Sequence, residues 1–225
     1  MHTGNGHVFE LVLEDGERQA RIFCPPNLIP APGQYLLASD GSDSPLPVPL
    51  FYTDSAPQGF IAAAPVPDTW NPGTKLHLRG PLGRGFTLPL SARKVAIVVF
   101  EAAASRLKGL IQQGLKQDAA VVLVCDSAAD DLPDDVEVQP LSALGDIVGW
   151  ADYVAFDVAR ENLPPLRERL GKQSQLSTGM RAQILIRTAI PCGGLAECGV
   201  CAVVLKSEWK LACKDGPVFD WRELE

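Results

Sequence analysis

Residues 191–219 read PCGGLAECGVCAVVLKSEWKLACKDGPVF and hold four of the six cysteines of the chain, Cys192, Cys198, Cys201 and Cys213. The spacing is C-x5-C-x2-C-x11-C, with a short hydrophobic run before the last thiol. Gly193, Gly194 and Gly199 lie between the first three cysteines. Glycine adopts positive φ and permits close backbone approach. A loop wrapped around an inorganic centre needs both, because its amides must turn inward to the sulfurs, where their hydrogen bonds help set a reduction potential. The spacing favours a [2Fe–2S] centre, since plant-type proteins use C-x4-C-x2-C and a distant fourth cysteine; here the first gap is one residue longer. A zinc site of four thiolates is the alternative, although only Cys198 and Cys201 form a knuckle and Cys213 stands alone. Disulfides need an oxidising compartment, of which the sequence carries no sign.

Outside this stretch the composition narrows the field. The chain has 225 residues, enough for two small domains, and 46% of them are hydrophobic, enough for an ordinary core. A net charge of −7 argues against a nucleic-acid surface. No apolar run approaches the ~18 residues of a membrane helix. The N-terminal MHTGNGHVFE has no basic region followed by an apolar one, so no signal peptide is expected. The expectation is a cytoplasmic protein, where reducing conditions favour metal binding by clustered thiols. Cys24 and Cys125 sit alone in strand-like runs and read as small buried hydrophobes.

Taken in order, residues 1–90 read as β structure. Runs at 7–13 and 18–24 flank Glu14-Asp15-Gly16-Glu17 as a hairpin, and a strand at 34–38 follows the turn Pro30-Ala31-Pro32-Gly33. The segment 45–52, with three prolines, suits an edge strand or extended loop. Further strands are expected at 60–64 and 75–78 on either side of a Pro- and Gly-rich turn, so the whole predicts a small barrel. Residues 91–190 change character. Continuous apolar runs at 94–100, 119–125 and 153–158, and a shorter one at 136–138, predict buried parallel strands. Helices are expected around Leu107, Leu110, Ile111 and Leu115, over 141–150 and over 163–170, and alternation of the two predicts a parallel α/β sheet. Residues 183–188 lead into the cysteine segment, 191–225.

Two strings carry a family resemblance. Cys213-Lys214-Asp215-Gly216-Pro217-Val218-Phe219 resembles the end of the cluster segment in the iron–sulfur electron-transfer subunit of type B dihydroorotate dehydrogenase, a member of the ferredoxin–NADP reductase superfamily. Gly80-Pro81-Leu82-Gly83-Arg84-Gly85-Phe86 resembles that family's GPLGxGF turn at the end of its first domain. The resemblance implies a flavin-binding-type barrel, a reductase-type α/β domain and the [2Fe–2S] segment in that order. It also implies FAD on the barrel and a pyridine nucleotide on the α/β domain.

The residues depart from the family at both of these sites. Where the family has a glycine-rich loop, this chain has Glu101-Ala102-Ala103-Ala104-Ser105-Arg106, and a pyrophosphate needs bare backbone. Where it has Cys-Gly-Pro, Phe156-Asp157-Val158 is aligned. Nicotinamide nucleotide is therefore not expected. The flavin motif Arg-Pro-x-Ser corresponds to Val48-Pro49-Leu50-Phe51, without its cation and hydroxyl, and no Gly-Thr-x-x-Leu helix start precedes Gly80. Tyr52, Thr53 and Arg79 are the remaining candidates for FAD contacts, so FAD is left open. Gly80, Gly83 and Gly85 read as a tight turn between the domains.

No set of catalytic acid, base and nucleophile is evident, and His2, His7 and His77 are scattered. Two readings follow. In the first, the chain is an electron carrier whose cluster serves a flavoprotein dehydrogenase subunit in a hetero-oligomer, dihydroorotate dehydrogenase of pyrimidine biosynthesis being the implied partner and the site of catalysis. In the second, it is a structural or assembly subunit stapled by a cluster or a zinc ion.

Overall fold

The computed structural model describes residues 1–14, 16–42, 46–100, 104–126, 132–170, 180–206 and 208–224. Six strands, β1 (His2–Glu14), β2 (Glu17–Phe23), β3 (Tyr35–Ser39), β4 (Val48–Ala56), β5 (Gly59–Ala62) and β6 (Lys75–Leu82), close into a barrel in the order β1-β2-β5-β4-β3-β6. Closure depends on β1, which pairs with β2 through His7–Glu14 and with β6 through His2–His7. At this corner a Cβ on Gly6 would lie 2.4 Å from the carbonyl oxygen of Phe23, so the crossing needs glycine. The interior is filled by Val8, Ile22, Leu36, Leu50, Phe60 and Leu76.

The barrel corrects two expectations. Strand β4 is not an edge: it lies between β5 and β3, and its one proline, Pro49, is accommodated inside a closed sheet. Gly80, Pro81 and Leu82 are not a turn but the end of β6, and the chain turns only at Gly83, where φ is +75°. Asp15 and Pro45, parts of the expected hairpin connection and β4 segment, lie outside the described residues. Between β5 and β6 the chain is irregular, with no helix.

The second unit is a six-stranded sheet built from β7 (Lys94–Phe100), β8 (Ala120–Val124), β9 (Val136–Gln139), β10 (Tyr153–Ala159) and β11 (Arg181–Arg187), all parallel. The sixth strand, β14 (Val218–Asp220), comes from the C-terminal segment and pairs antiparallel with β11. Alternate residues of β7 serve the two faces. Val95, Ile97 and Val99 pack on Leu110 and Ile111 of α1 (Lys108–Lys116). Ala96, Val98 and Phe100 share a core with Leu144 of α2 (Leu144–Trp150) and Leu163 and Leu166 of α3 (Leu163–Leu170). Burial on both faces is why these strands read as unbroken apolar runs. Cys24 and Cys125 are buried, as expected.

The order β14-β11-β10-β7-β8-β9 places the topological switch point between β7 and β10, where open α/β sheets bind ligands. Here that crevice holds an ion network. Asp157, fully buried in β10, accepts a hydrogen bond from Arg187 Nε at 2.6 Å and pairs with Arg106 at 3.7 Å. Phe156-Asp157-Val158 is thus interior strand, and the exit of β10 is Arg160-Glu161-Asn162, which corrects the placement of the Cys-Gly-Pro equivalent. Removing a buried charge strands its partners. Asp157→Ala is expected to lower stability by about 3 kcal/mol in urea unfolding, and Asp157→Asn, which keeps an acceptor for Arg187, is expected to lose less.

Candidate metal centre

After β11 the chain enters the cysteine segment, which continues through β12 (Ala202–Leu205) and β13 (Glu208–Leu211), an antiparallel hairpin, before returning as β14. Gly193, Gly194, Ala196 and Gly199 all have φ between +60° and +72°. Successive left-handed residues turn backbone N–H groups into a common concavity, a nest for anionic ligands. The amides of Ala196, Glu197 and Cys198 hydrogen-bond the Cys192 sulfur, and that of Ala196 also serves Cys213. The glycines are needed by their surroundings as well as by φ. A Cβ on Gly193 would lie 3.1 Å from Pro47, and one on Gly194 would lie 3.2 Å from the Tyr35 hydroxyl.

The four thiols come together as two pairs. Cys192 hydrogen-bonds Cys198, and Cys201 hydrogen-bonds Cys213, with Cys192 also within electrostatic reach of Cys213. The inner pair, Cys201 and Cys213, is buried; Cys192 is half-buried and Cys198 exposed. None of the six cysteines forms a disulfide. Burial pushes the Cys192 thiol up, but the hydrogen bonds from Cys198 and the three amides outweigh it and bring the thiol down to about 6. Cys213 is pushed up to about 12, by burial first and by Cys201 next. Among the described residues no three His, Cys, Asp or Glu side chains converge on a single-ion site. Two thiol pairs under inward amides fit a two-iron cluster, in which each iron takes two thiolates, whereas a structural zinc asks for one closed tetrahedron.

Both larger units grip this segment. From β3, the fully buried Tyr35 donates its hydroxyl to the carbonyl oxygen of Cys213 at 3.2 Å. From β6, Arg79 donates to the carbonyl oxygen of Gly193. From the exit of β10, Arg160 donates to the carbonyls of Val200 at 2.7 Å and Ala202 at 3.1 Å. The two strings that carried the family resemblance meet in space. The Arg84 amide donates to the Gly216 carbonyl at 2.6 Å, and Arg84 bridges Pro217. Asp215 closes the turn after Cys213 by accepting from the Leu211 amide at 2.9 Å. Of these residues, Tyr35 and Arg160 gave no signal in the sequence, because each binds backbone atoms distant along the chain.

Of the candidate flavin contacts, Arg79 and Tyr52 are engaged elsewhere, while the Thr53 hydroxyl is buried without a hydrogen-bond partner. Arg79 faces the cysteine loop. Tyr52 stacks on Phe60 at 6.3 Å between ring centroids and crowds Gly109 of α1, where an added Cβ would be 2.5 Å from its ring. Thr53 is buried and lines a cavity of about 90 Å³ with Glu14, Lys108 and Gln112. Phe51 packs on Tyr35 with centroids 5.6 Å apart and touches the cores on both faces of the sheet. Lys108 pairs with Glu14, and Arg106 donates to the Ala64 carbonyl, so the start of α1 is fastened to the barrel. Of the three candidates only Arg79 carries a charge for a pyrophosphate, and it is committed to the Gly193 carbonyl. Of the loop expected in the nucleotide position, Glu101–Ala103 lie outside the described residues, and Ala104–Arg106 form a buried 3-10 turn.

Comparison with known proteins agrees with this geometry. Residues 192–225 match the family described as the iron–sulfur cluster binding domain of dihydroorotate dehydrogenase B. Among solved structures, the NADH-dependent reduced ferredoxin-NADP oxidoreductase of flavin-based electron bifurcation is 16% identical with a TM-score of 0.72, covering 98% of this chain and 89% of that one. The ferredoxin reductase of carbazole 1,9a-dioxygenase is 16% identical with a TM-score of 0.60, and the match covers 77% of this chain and 64% of the reductase. A ferredoxin-NADP+ reductase from Plasmodium falciparum is 8% identical with a TM-score of 0.58, covering 83% and 96%. The curated proteins contain no sequence match. At such identities the structural likeness is one of fold. No helix among the described residues is long and apolar enough to cross a membrane. The thiol pairs, the nest and the matched segment lie in one place: residues 192–225 match the iron–sulfur cluster binding domain of dihydroorotate dehydrogenase B, and the chain around them has a ferredoxin-reductase-like fold.

Proposed function

We propose that the chain is an electron-transfer subunit in which Cys192, Cys198, Cys201 and Cys213 hold a [2Fe–2S] cluster. It serves a flavoprotein dehydrogenase subunit, with dihydroorotate dehydrogenase as the candidate partner. The observation that carries this reading is the convergence of the four thiols as two pairs under inward-turned amides, inside the segment that matches the cluster-binding family. When bound, the cluster accepts and releases one electron at a time. The inner pair, Cys201 and Cys213, anchors it within the core. The amides of Ala196, Glu197 and Cys198 offset the negative charge of the outer thiolates. Cys198 is exposed beside the exposed Leu195 and Val200, so the outer edge of the centre is the side open to a partner.

We further infer that the chain works without a flavin or nucleotide of its own. A dianionic pyrophosphate requires a cation, a helix N-terminus or free amides. Val48 supplies no cation, Arg79 is committed to Gly193, and the start of α1 is fastened to Glu14 and Ala64. Arg106, Asp157 and Arg187 fill the crevice between β7 and β10. Catalysis then belongs to the partner chain.

Serine at Cys192, Cys198, Cys201 or Cys213 is expected to abolish or severely deplete the visible chromophore, with Cys24→Ser and Cys125→Ser leaving it intact. Analysis should find about two iron and two sulfide per chain. A colourless protein with stoichiometric zinc would support the staple reading.

Gly194→Ala combines a left-handed φ with contact at the Tyr35 hydroxyl, a strain of about 1–2 kcal/mol. It is expected to purify with less cluster and to lose it faster to a chelator, while Ala196→Gly retains wild-type occupancy.

Protein purified with a full cluster is expected to release well under one FAD per chain into an acid supernatant, read by fluorescence, and to show no bleaching by NADH or NADPH under anaerobic mixing. A stoichiometric flavin yield or rapid bleaching would overturn the cluster-only reading.

A further inference from the structure

We propose that Arg79 sets the reduction potential of the cluster, an assignment that rests on the electron-carrier reading. Arg79 belongs to the barrel, opposite Thr3 on β1 and Leu37 on β3. Its guanidinium is directed out of the barrel to the carbonyl of Gly193, the residue after Cys192. A Cβ on Gly193 would lie 3.5 Å from that guanidinium, so the arginine sits in van der Waals contact with the loop. The charge also acts on Tyr35, whose phenol feels Cys213, Cys201 and Cys192 on one side and Arg79 on the other. Arg79 and three of the four thiols therefore share one electrostatic neighbourhood.

Two features make this charge count. Among the described residues Arg79 has no carboxylate partner, whereas Lys108, Arg106, Arg187 and Lys210 each have one. It is also half-buried, while Arg160, Lys206 and Lys214 are exposed and screened by water. Reduction adds one negative charge to a cluster that is already anionic. An uncompensated cation held nearby, in a medium less polar than water, stabilises the reduced form and raises the potential.

The test uses the cluster-loaded chain equilibrated with a redox mediator dye and read at the visible absorbance. In Arg79→Gln the ratio of reduced to oxidised cluster at a fixed mediator poise is expected to fall about tenfold, equivalent to 59 mV for one electron. Arg79→Lys is expected to stay within about twofold of wild type, because it keeps the charge and loses only the fork. The EPR spectrum of the reduced cluster should be unchanged in both, which a loosened ligand loop would not allow. Thr3→Glu provides a second route, since cross-strand partners share a face and Thr3 is exposed. It gives Arg79 a carboxylate without touching the loop, and is expected to lower the ratio in the same direction. Wild-type ratios in both Arg79→Gln and Thr3→Glu would overturn the proposal, as would an equal fall in Arg79→Lys and Arg79→Gln. If Arg79→Gln does not retain a cluster, Thr3→Glu decides alone. Absence of any cluster from the wild-type chain would instead defeat the carrier reading.

Discussion

The structure depends on a tyrosine hydroxyl that has left its own domain. Tyr35 is a barrel residue by sequence and pairing, yet it belongs to the core shared by the sheet and the cysteine segment. It is fully buried, and a buried hydroxyl without a partner is costly. Its acceptor is the carbonyl of Cys213. Gly83 and Gly194 are glycines partly because the phenol occupies the space their side chains would take, 3.1 and 3.2 Å away. The bond between Arg84 and Gly216 adds a second clasp beside the first. Separating the barrel from the cysteine segment would strand both sets of polar groups in an apolar core.

The same economy of contacts explains the seam between barrel and sheet. In this chain Phe51 and Tyr52 fill the barrel side, and Ser105, Arg106 and Lys108 bond across to Glu17, Ala64 and Glu14. Inside the sheet, Asp157 neutralises two arginines between β7 and β10. Buried ion pairs of this kind contribute little net stability but impose a strict geometry, because losing either partner is expensive.

The cysteine segment shows how backbone and side chain divide the work. Four left-handed residues between Cys192 and Cys201 aim amides at sulfur. Arginines from two different units then hold the outward-facing carbonyls, Arg79 at Gly193 and Arg160 at Val200 and Ala202. The amides of Ala196, Glu197 and Cys198 thus turn to sulfur, while the carbonyls of Gly193, Val200 and Ala202 turn to arginines.

Much of this was legible in the sequence. Unbroken apolar runs marked β7, β8 and β10 because a strand buried on both faces has no polar alternation to disguise it. The helical spacing of Leu107, Leu110, Ile111 and Leu115 marked the α1 region, and the four cysteines with their glycines marked the centre. Local chemistry was enough in each case, since periodicity and thiol spacing are properties of neighbouring residues. Pairing partners were not legible. Nothing in Pro45–Tyr52 says that β4 is interior to a closed barrel, and nothing in Val218-Phe219-Asp220 says that it edges a sheet begun more than a hundred residues earlier. Arg79 is the clearest case. By itself it was a cation near the flavin position of a reductase barrel, and only the packing of residues 193 and 194 against Pro47, Tyr35 and Leu37 turned it to the cysteine loop. The sequence alone determined which residues carry the chemistry, because thiols and glycines are scarce and local. The tertiary structure alone decided which distant cation and hydroxyl serve them, because those contacts join residues between about 110 and 180 positions apart.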